Sequence, residues 1–85
     1  MNKITLFTKE DCGLCGGVLF VIQKVRRAIP FDLELLDITA PGQEARLEAY
    51  RNHIPVVHLN DREIFRHRID EATLRRLLEE TDTAR

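Results

Sequence analysis

Residues 3–8, KITLFT, alternate polar and apolar positions closely enough to predict a β-strand, and Lys9-Glu10-Asp11 carries the chain out of it. From Cys12 to about Ile29 the period changes. Cys15, Val18, Leu19, Ile22, Val25 and Ile29 share one broad helical face, and Pro30 closes the run. Residues 31–38, FDLELLDI, alternate Phe31, Leu33 and Leu35 and predict a second strand. Thr39, with Pro41 two residues later, suits the entry to a short helix that carries Leu47 and Tyr50, has Ile54 at a compatible spacing beyond them, and frays near Asn52. Residues 56–59 (VVHL) and 63–66 (EIFR) flank the tight-turn pair Asn60-Asp61, which predicts a hairpin. Asp70 is a good N-cap for a last helix with Leu74, Leu77 and Leu78 on its buried face. The polar tail from Thr81 to Arg85 is expected to fray.

The predicted order is β-α-β-α-β-β-α. A right-handed crossover makes the first two strands parallel, and the hairpin adds an antiparallel edge, so the fold class is α/β with a mixed four-stranded sheet and helices on both faces. Phe20 lies in the apolar run Val18-Leu19-Phe20-Val21-Ile22 but points away from the face set by Cys15, Leu19 and Ile22. Either a neighbouring helix covers it, the commoner outcome, or it marks a partner surface.

The chain has 85 residues, which suits one small domain over residues 1–85. Its 13 Lys and Arg against 14 Asp and Glu, net −1, are mixed along the sequence. No basic block suits broad nucleic-acid binding, and the pairs Arg26-Arg27 and Arg75-Arg76 read as solvated helix faces. No apolar stretch approaches the length of a membrane span. Met1 leads straight into a strand pattern with no signal-peptide core, which predicts a cytoplasmic protein.

Both cysteines sit in one C-x-x-C, Cys12-Gly13-Leu14-Cys15, where the first strand gives way to the first helix. In a reducing compartment this arrangement reads as redox chemistry or metal binding. At a helix start the Cys12 sulfur faces unpaired N–H groups and the positive dipole end, so its thiol should ionise easily. Lys9 adds a cation on the same loop; Glu10 and Asp11 oppose it. Cys15, one turn in, is near enough to close a disulfide and deep enough to be shielded. Thiol-disulfide exchange needs this layout: Cys12 attacks, a mixed disulfide forms, and Cys15 resolves it.

The strand, the Cys12-Gly13-Leu14-Cys15 helix start and the later Ile54-Pro55 at the opening of a hairpin strand resemble a glutaredoxin of the thioredoxin superfamily, over about Ile4 to Leu78. The chain is most similar to the small glutaredoxin-like proteins of bacteria. The resemblance implies a thioredoxin-like fold and a cis proline at Pro55 lying against the cysteine pair. It also implies that the Ile54 backbone holds an extended peptide or glutathione by strand addition. Read on its residues alone, Pro55 is an ordinary trans proline at a strand start. Typical dithiol members carry Pro-Tyr between the cysteines, Thr-Val-Pro, and a Gly-Gly followed by an acidic residue. Here those places hold Gly13-Leu14, His53-Ile54-Pro55 and Phe65-Arg66-His67-Arg68-Ile69-Asp70. Arg66 and His67 are bulky where the glycine pair lets the backbone approach the γ-glutamyl end of glutathione.

The expected activity is reduction of protein or mixed disulfides, with Cys12 as nucleophile and Cys15 as resolving thiol. Lys9, Gly13, Leu14, Ile54 and Pro55 are the expected substrate contacts. His53, two residues before Pro55, is either a partner of the Cys12 thiolate or a solvated loop histidine. Asp70 meets a substrate amino group or simply caps its helix. No cofactor is required and no metal is expected. The resemblance implies glutathione or a thioredoxin-type reductase as reductant, with a disulfide-bearing protein or glutathione mixed disulfide as partner, and the chain is expected to be a monomer. Two other readings stand beside this one. The first is a non-catalytic thioredoxin-like interaction module using Phe20, Arg66 and His67. The second is a metal site built from Cys12, Cys15 and His53 or His58, whose spacing matches no compact finger.

Overall fold

The computed structural model describes residues 1–83. Its elements are β1 (Lys3–Thr8), α1 (Cys15–Ala28), β2 (Asp32–Asp37), α2 (Glu44–Tyr50), β3 (Val56–Leu59), β4 (Arg62–Arg66) and α3 (Glu71–Thr83), in the expected order. β1 pairs parallel with β2 and antiparallel with β3, and β4 pairs antiparallel with β3, so the strand order is β2-β1-β3-β4.

Alternation along the strands divides the core between the two faces of the sheet. Ile4, Leu6, Val57 and Leu59 pack with Val18, Ile22 and Val25 of α1 and with Leu74 and Leu78 of α3. Phe7 and Val56, pointing the other way, pack with Ile38 and with Tyr50 of α2. The central strands are therefore covered on both sides, whereas β2 at the edge is covered poorly. Leu35, expected to alternate inward, is 52% exposed.

The hairpin turn follows from its residues. Asn60 and Asp61 both take left-handed backbone, φ 50° and 70°, as a two-residue type I′ turn requires. The Asn60 side chain then reaches the chain start: its Oδ1 accepts from the Lys3 N–H at 2.9 Å, and its Nδ2 donates to Asn2 Oδ1 at 2.9 Å. Asn2 is buried and donates onward to the Leu78 carbonyl at 3.4 Å. One buried amide thus ties β1, the hairpin and α3 together, and its position near the chain start gives no sequence signal of that role.

Several boundaries differ from expectation for local reasons. α1 starts at Cys15 and not at Cys12, because Asp11 is left-handed (φ 62°) and Gly13-Leu14 form a turn in which the Cys15 N–H donates to the Cys12 carbonyl at 3.4 Å. α2 starts at Glu44. Asp37 Oδ1 captures the Thr39 N–H at 2.8 Å and its hydroxyl at 2.6 Å, so Thr39 belongs to a side-chain turn and not to a helix cap. The second strand spans only 32–37, and β4 starts one residue early, at Arg62. Beyond His58↔Glu63 the register slips by one residue, a bulge that lets Ile64 and Phe65 both pack against the α1 face. α3 continues to Thr83, with the Thr81 hydroxyl donating to the Leu77 carbonyl at 2.7 Å, where fraying was expected. The last two residues of the expected tail, Ala84 and Arg85, lie outside the described residues. Asp70 caps α3 as anticipated, accepting from the Thr73 N–H at 3.0 Å and from the Thr73 hydroxyl. These bonds hold its carboxyl below the usual 3.8.

Candidate active site

Cys12 and Cys15 are joined by a disulfide with their Cα atoms 5.5 Å apart. Cys12 is half-buried on the turn that follows β1, and Cys15 is 7% exposed as the first residue of α1. The asymmetry has a simple origin. Cys15 shares the inward helical face of Val18 and Ile22, whereas Cys12 stands ahead of the helix among the exposed residues Gly13 and Leu14. No side chain caps α1, and its first turn carries no acidic residue. The N–H groups there keep their positive end undisguised beside Cys12.

The sheet brings the second half of the site to the same end. Phe7 pairs with Val56, so the residues just before β3 lie next to the end of β1, from which Lys9 and the cysteine turn depart. The Ile54-Pro55 bond is cis. Pro55 is buried and its carbonyl accepts the His67 N–H at 2.8 Å. The Ile54 side chain packs toward Phe7, Ile38, Tyr50 and Val56. Among the described residues, no backbone group takes either the N–H or the carbonyl of Ile54. A strand-like acceptor edge is therefore left open at Ile54. Lys9 is half-buried one residue beyond β1.

His53 and Asp70 are placed differently. The His53 ring lies against the His67 ring, centroids 5.8 Å apart, and Asp70 is occupied by Thr73 at the start of α3. His58, named in the metal reading, is on the opposite face, buried beneath α2. It shares a hydrogen bond of 3.1 Å with the Tyr50 hydroxyl and stacks edgewise on Phe7. Among the described residues no group of three or more His, Cys, Asp and Glu gathers to hold a metal ion. The run from Val18 to Ile22 also resolves differently. Phe20 is 69% exposed and lines a shallow groove with Gln23, Lys24 and Arg27 on the outer side of α1, where no helix covers it.

The His58 cluster makes a pH prediction. Arg46 donates to the Tyr50 oxygen at 3.4 Å, and the same hydroxyl shares a hydrogen bond of 3.1 Å with His58 Nε2. Burial, and then the Arg46 cation, hold the His58 pKa below the ordinary 6.5. Below pH 6.5 the unfolded chain takes up a proton that the folded chain refuses, so stability falls as pH drops below 6.5. His58→Leu is expected to flatten this part of the profile in urea titrations. An unchanged slope in the variant would assign the pH dependence elsewhere.

The geometry agrees with what known proteins show. A family model described as a glutaredoxin-like domain matches residues 3–79. A curated glutaredoxin-like protein of Dictyostelium discoideum is 32% identical over 76 residues, 85% of this chain and 70% of its own length. Among solved structures, a protein of Nitrosomonas europaea superposes with TM-score 0.73 at 23% identity, covering 86% of each chain. A protein of X. campestris superposes with TM-score 0.70 at 24% identity, over 91% of this chain and 96% of that one. Thioredoxin 1 of Thermosipho africanus superposes with TM-score 0.64 at 24% identity, over 94% and 98%. At these identities the structural likeness shows a common fold.

Proposed function

We propose that this chain, which belongs to the glutaredoxin-like domain family and has a thioredoxin-like fold, is a thiol-disulfide oxidoreductase that reduces protein or mixed disulfides. The observation that carries the reading is the cysteine pair itself: an accessible Cys12 ahead of an uncapped helix, joined to a buried Cys15. In the dithiol form the Cys12 thiolate attacks one sulfur of a substrate disulfide. The Cys12–substrate bond forms, the substrate bond breaks, and the departing thiolate takes a proton from solvent. Cys15, as thiolate, then attacks the Cys12 sulfur, releases the second substrate thiol and leaves the Cys12–Cys15 disulfide. Two electrons have passed to the substrate. A thiol reductant, either glutathione or a reductase of the thioredoxin type, returns them.

The surrounding residues have roles in this scheme. The helix terminus stabilises the Cys12 anion; Lys9 adds to it, and the exposed carboxylates of Glu10 and Asp11 subtract. The open Ile54 backbone holds the substrate strand beside Pro55 while Gly13 and Leu14 leave room for it. The chain acts as a monomer in the cytoplasm and needs no metal or organic cofactor.

The test is the pH dependence of iodoacetamide alkylation of the reduced chain, with Cys12 and Cys15 rates separated by mass spectrometry. Cys12 is expected to react first, with an apparent pKa clearly below the free-thiol value of about 8.5. Two cysteines that titrate together near or above that value would remove the physical basis of the proposal. A non-catalytic interaction module, to which the uncovered Phe20 points, would then take its place.

A further inference from the structure

The segment after β4 carries a side chain that the fold does not need. His67 has φ 65°, a left-handed backbone that strains an L-residue and that glycine adopts freely. The turn is held by backbone alone: the His67 N–H donates to the Pro55 carbonyl at 2.8 Å and the Arg68 N–H to the Arg66 carbonyl at 2.6 Å. The imidazole is exposed, and its ring partner is His53. A residue that keeps an exposed side chain on a glycine-like backbone, beside the open Ile54 edge, points to use of that side chain.

The charges around the pair are uneven. Glu63 lies within electrostatic reach of His53, but its carboxylate is held by Arg66, bonded at Nη2 (3.1 Å) and at Nε. Asp70, the next carboxylate along the chain, is occupied by Thr73. Arg68 has no acidic partner among the described residues. The turn that leads into Cys12, by contrast, carries Glu10 and Asp11. Two imidazoles in ring contact that can donate N–H groups, followed in the chain by an exposed arginine, suit a carboxylate.

Building on the oxidoreductase reading, we infer that His53, His67 and Arg68 form a recognition lip that selects protein disulfides with an acidic side chain next to the bridged cysteine. An extended substrate pairing with Ile54 places its sulfur toward Cys12 and a neighbouring Asp or Glu on the lip. The same acidic side chain is repelled by Glu10 and Asp11 ahead of Cys12.

The test separates recognition from chemistry. Redox-inert peptides, with 2-aminobutyrate in place of cysteine and either Glu or Gln beside it, are titrated into the disulfide form of the full chain. The Glu peptide is expected to bind about tenfold more tightly than the Gln peptide. The advantage should shrink to less than about twofold in His53→Gln/His67→Gly and in about 0.5 M salt. Glycine suits the His67 backbone, so this variant folds; the two peptides on the unaltered chain test the idea independently of it. Equal affinities, or an advantage that survives the double substitution, overturn the inference. So does S-methylglutathione, if it matches the Glu peptide and loses its affinity in the variant, because the lip would then serve glutathione. Turnover of the corresponding disulfide peptides separates the two proposals. Reduction without Glu preference sinks the lip alone, whereas preferential binding without any reduction sinks the oxidoreductase reading and leaves the lip.

Discussion

A Cys12→Ser chain is expected to reduce a mixed-disulfide peptide at least about a thousandfold more slowly than the unaltered chain, measured as one turnover of pre-reduced protein so that no recycling system enters. The serine hydroxyl is not ionised at neutral pH, and Cys15, at 7% exposure, is shielded from a bulky disulfide. Cys15→Ser should behave differently. The first exchange proceeds, the resolving attack has no nucleophile, and the chain gains the mass of one substrate moiety on Cys12. Both variants lose the short cross-link, worth about 2 kcal/mol in the chain-entropy account of so small a loop, so equal losses of stability serve as the control. Full activity in Cys12→Ser would transfer the function to the surface of the fold. Trapping on Cys15 in place of Cys12 would reverse the assigned roles.

The residues behind this prediction were legible because each level of the sequence agreed. A strand pattern ending at Thr8, two cysteines three apart, and a helical period through Val25 can be satisfied together only by a thiol turn at the end of a strand. The helix start was misplaced by three residues because periodicity reports which positions are apolar, not where backbone φ turns positive, and Asp11 gives no signal of its left-handed state. The glycine-like backbone of His67 follows from the resemblance, which sets it where the family carries a glycine pair, and not from periodicity. The cis bond at Pro55 was implied by family resemblance and not by its residues, which favour an ordinary strand start. The pairing of His53 with His67, and of His58 with Tyr50, depends on register and on the bulge in β4, which local pattern does not encode. Phe20 failed on coverage. A five-residue apolar run wraps around the helix, but the sheet and α3 cover α1 from one side, so the opposite flank stays in water.

That asymmetry of α1 gives the largest expected effect on stability. Ile22 is fully buried among Ile4, Leu6, Val57, Leu74 and Leu78, at the junction of α1, α3 and the central strands. Truncating it to alanine removes its transfer energy and leaves a cavity bounded by two helices and a sheet, each fixed by other contacts. The cost is about 3 to 4 kcal/mol. A chain of this size holds only about 4 to 13 kcal/mol in total, so Ile22→Ala is expected to lower the urea midpoint severely and leave a fraction of chains unfolded near body temperature. Phe20→Ala, two residues earlier on the same helix, should change stability by less than about 0.5 kcal/mol, because 69% of that residue is already in water. The pair of measurements tests the placement of α1 directly. Comparable losses at both positions would mean that Phe20 is packed, and that the helix is rotated about its axis relative to the sheet. That rotation would turn Cys15 out of the core, and with it the asymmetry between the two cysteines on which the proposed exchange depends.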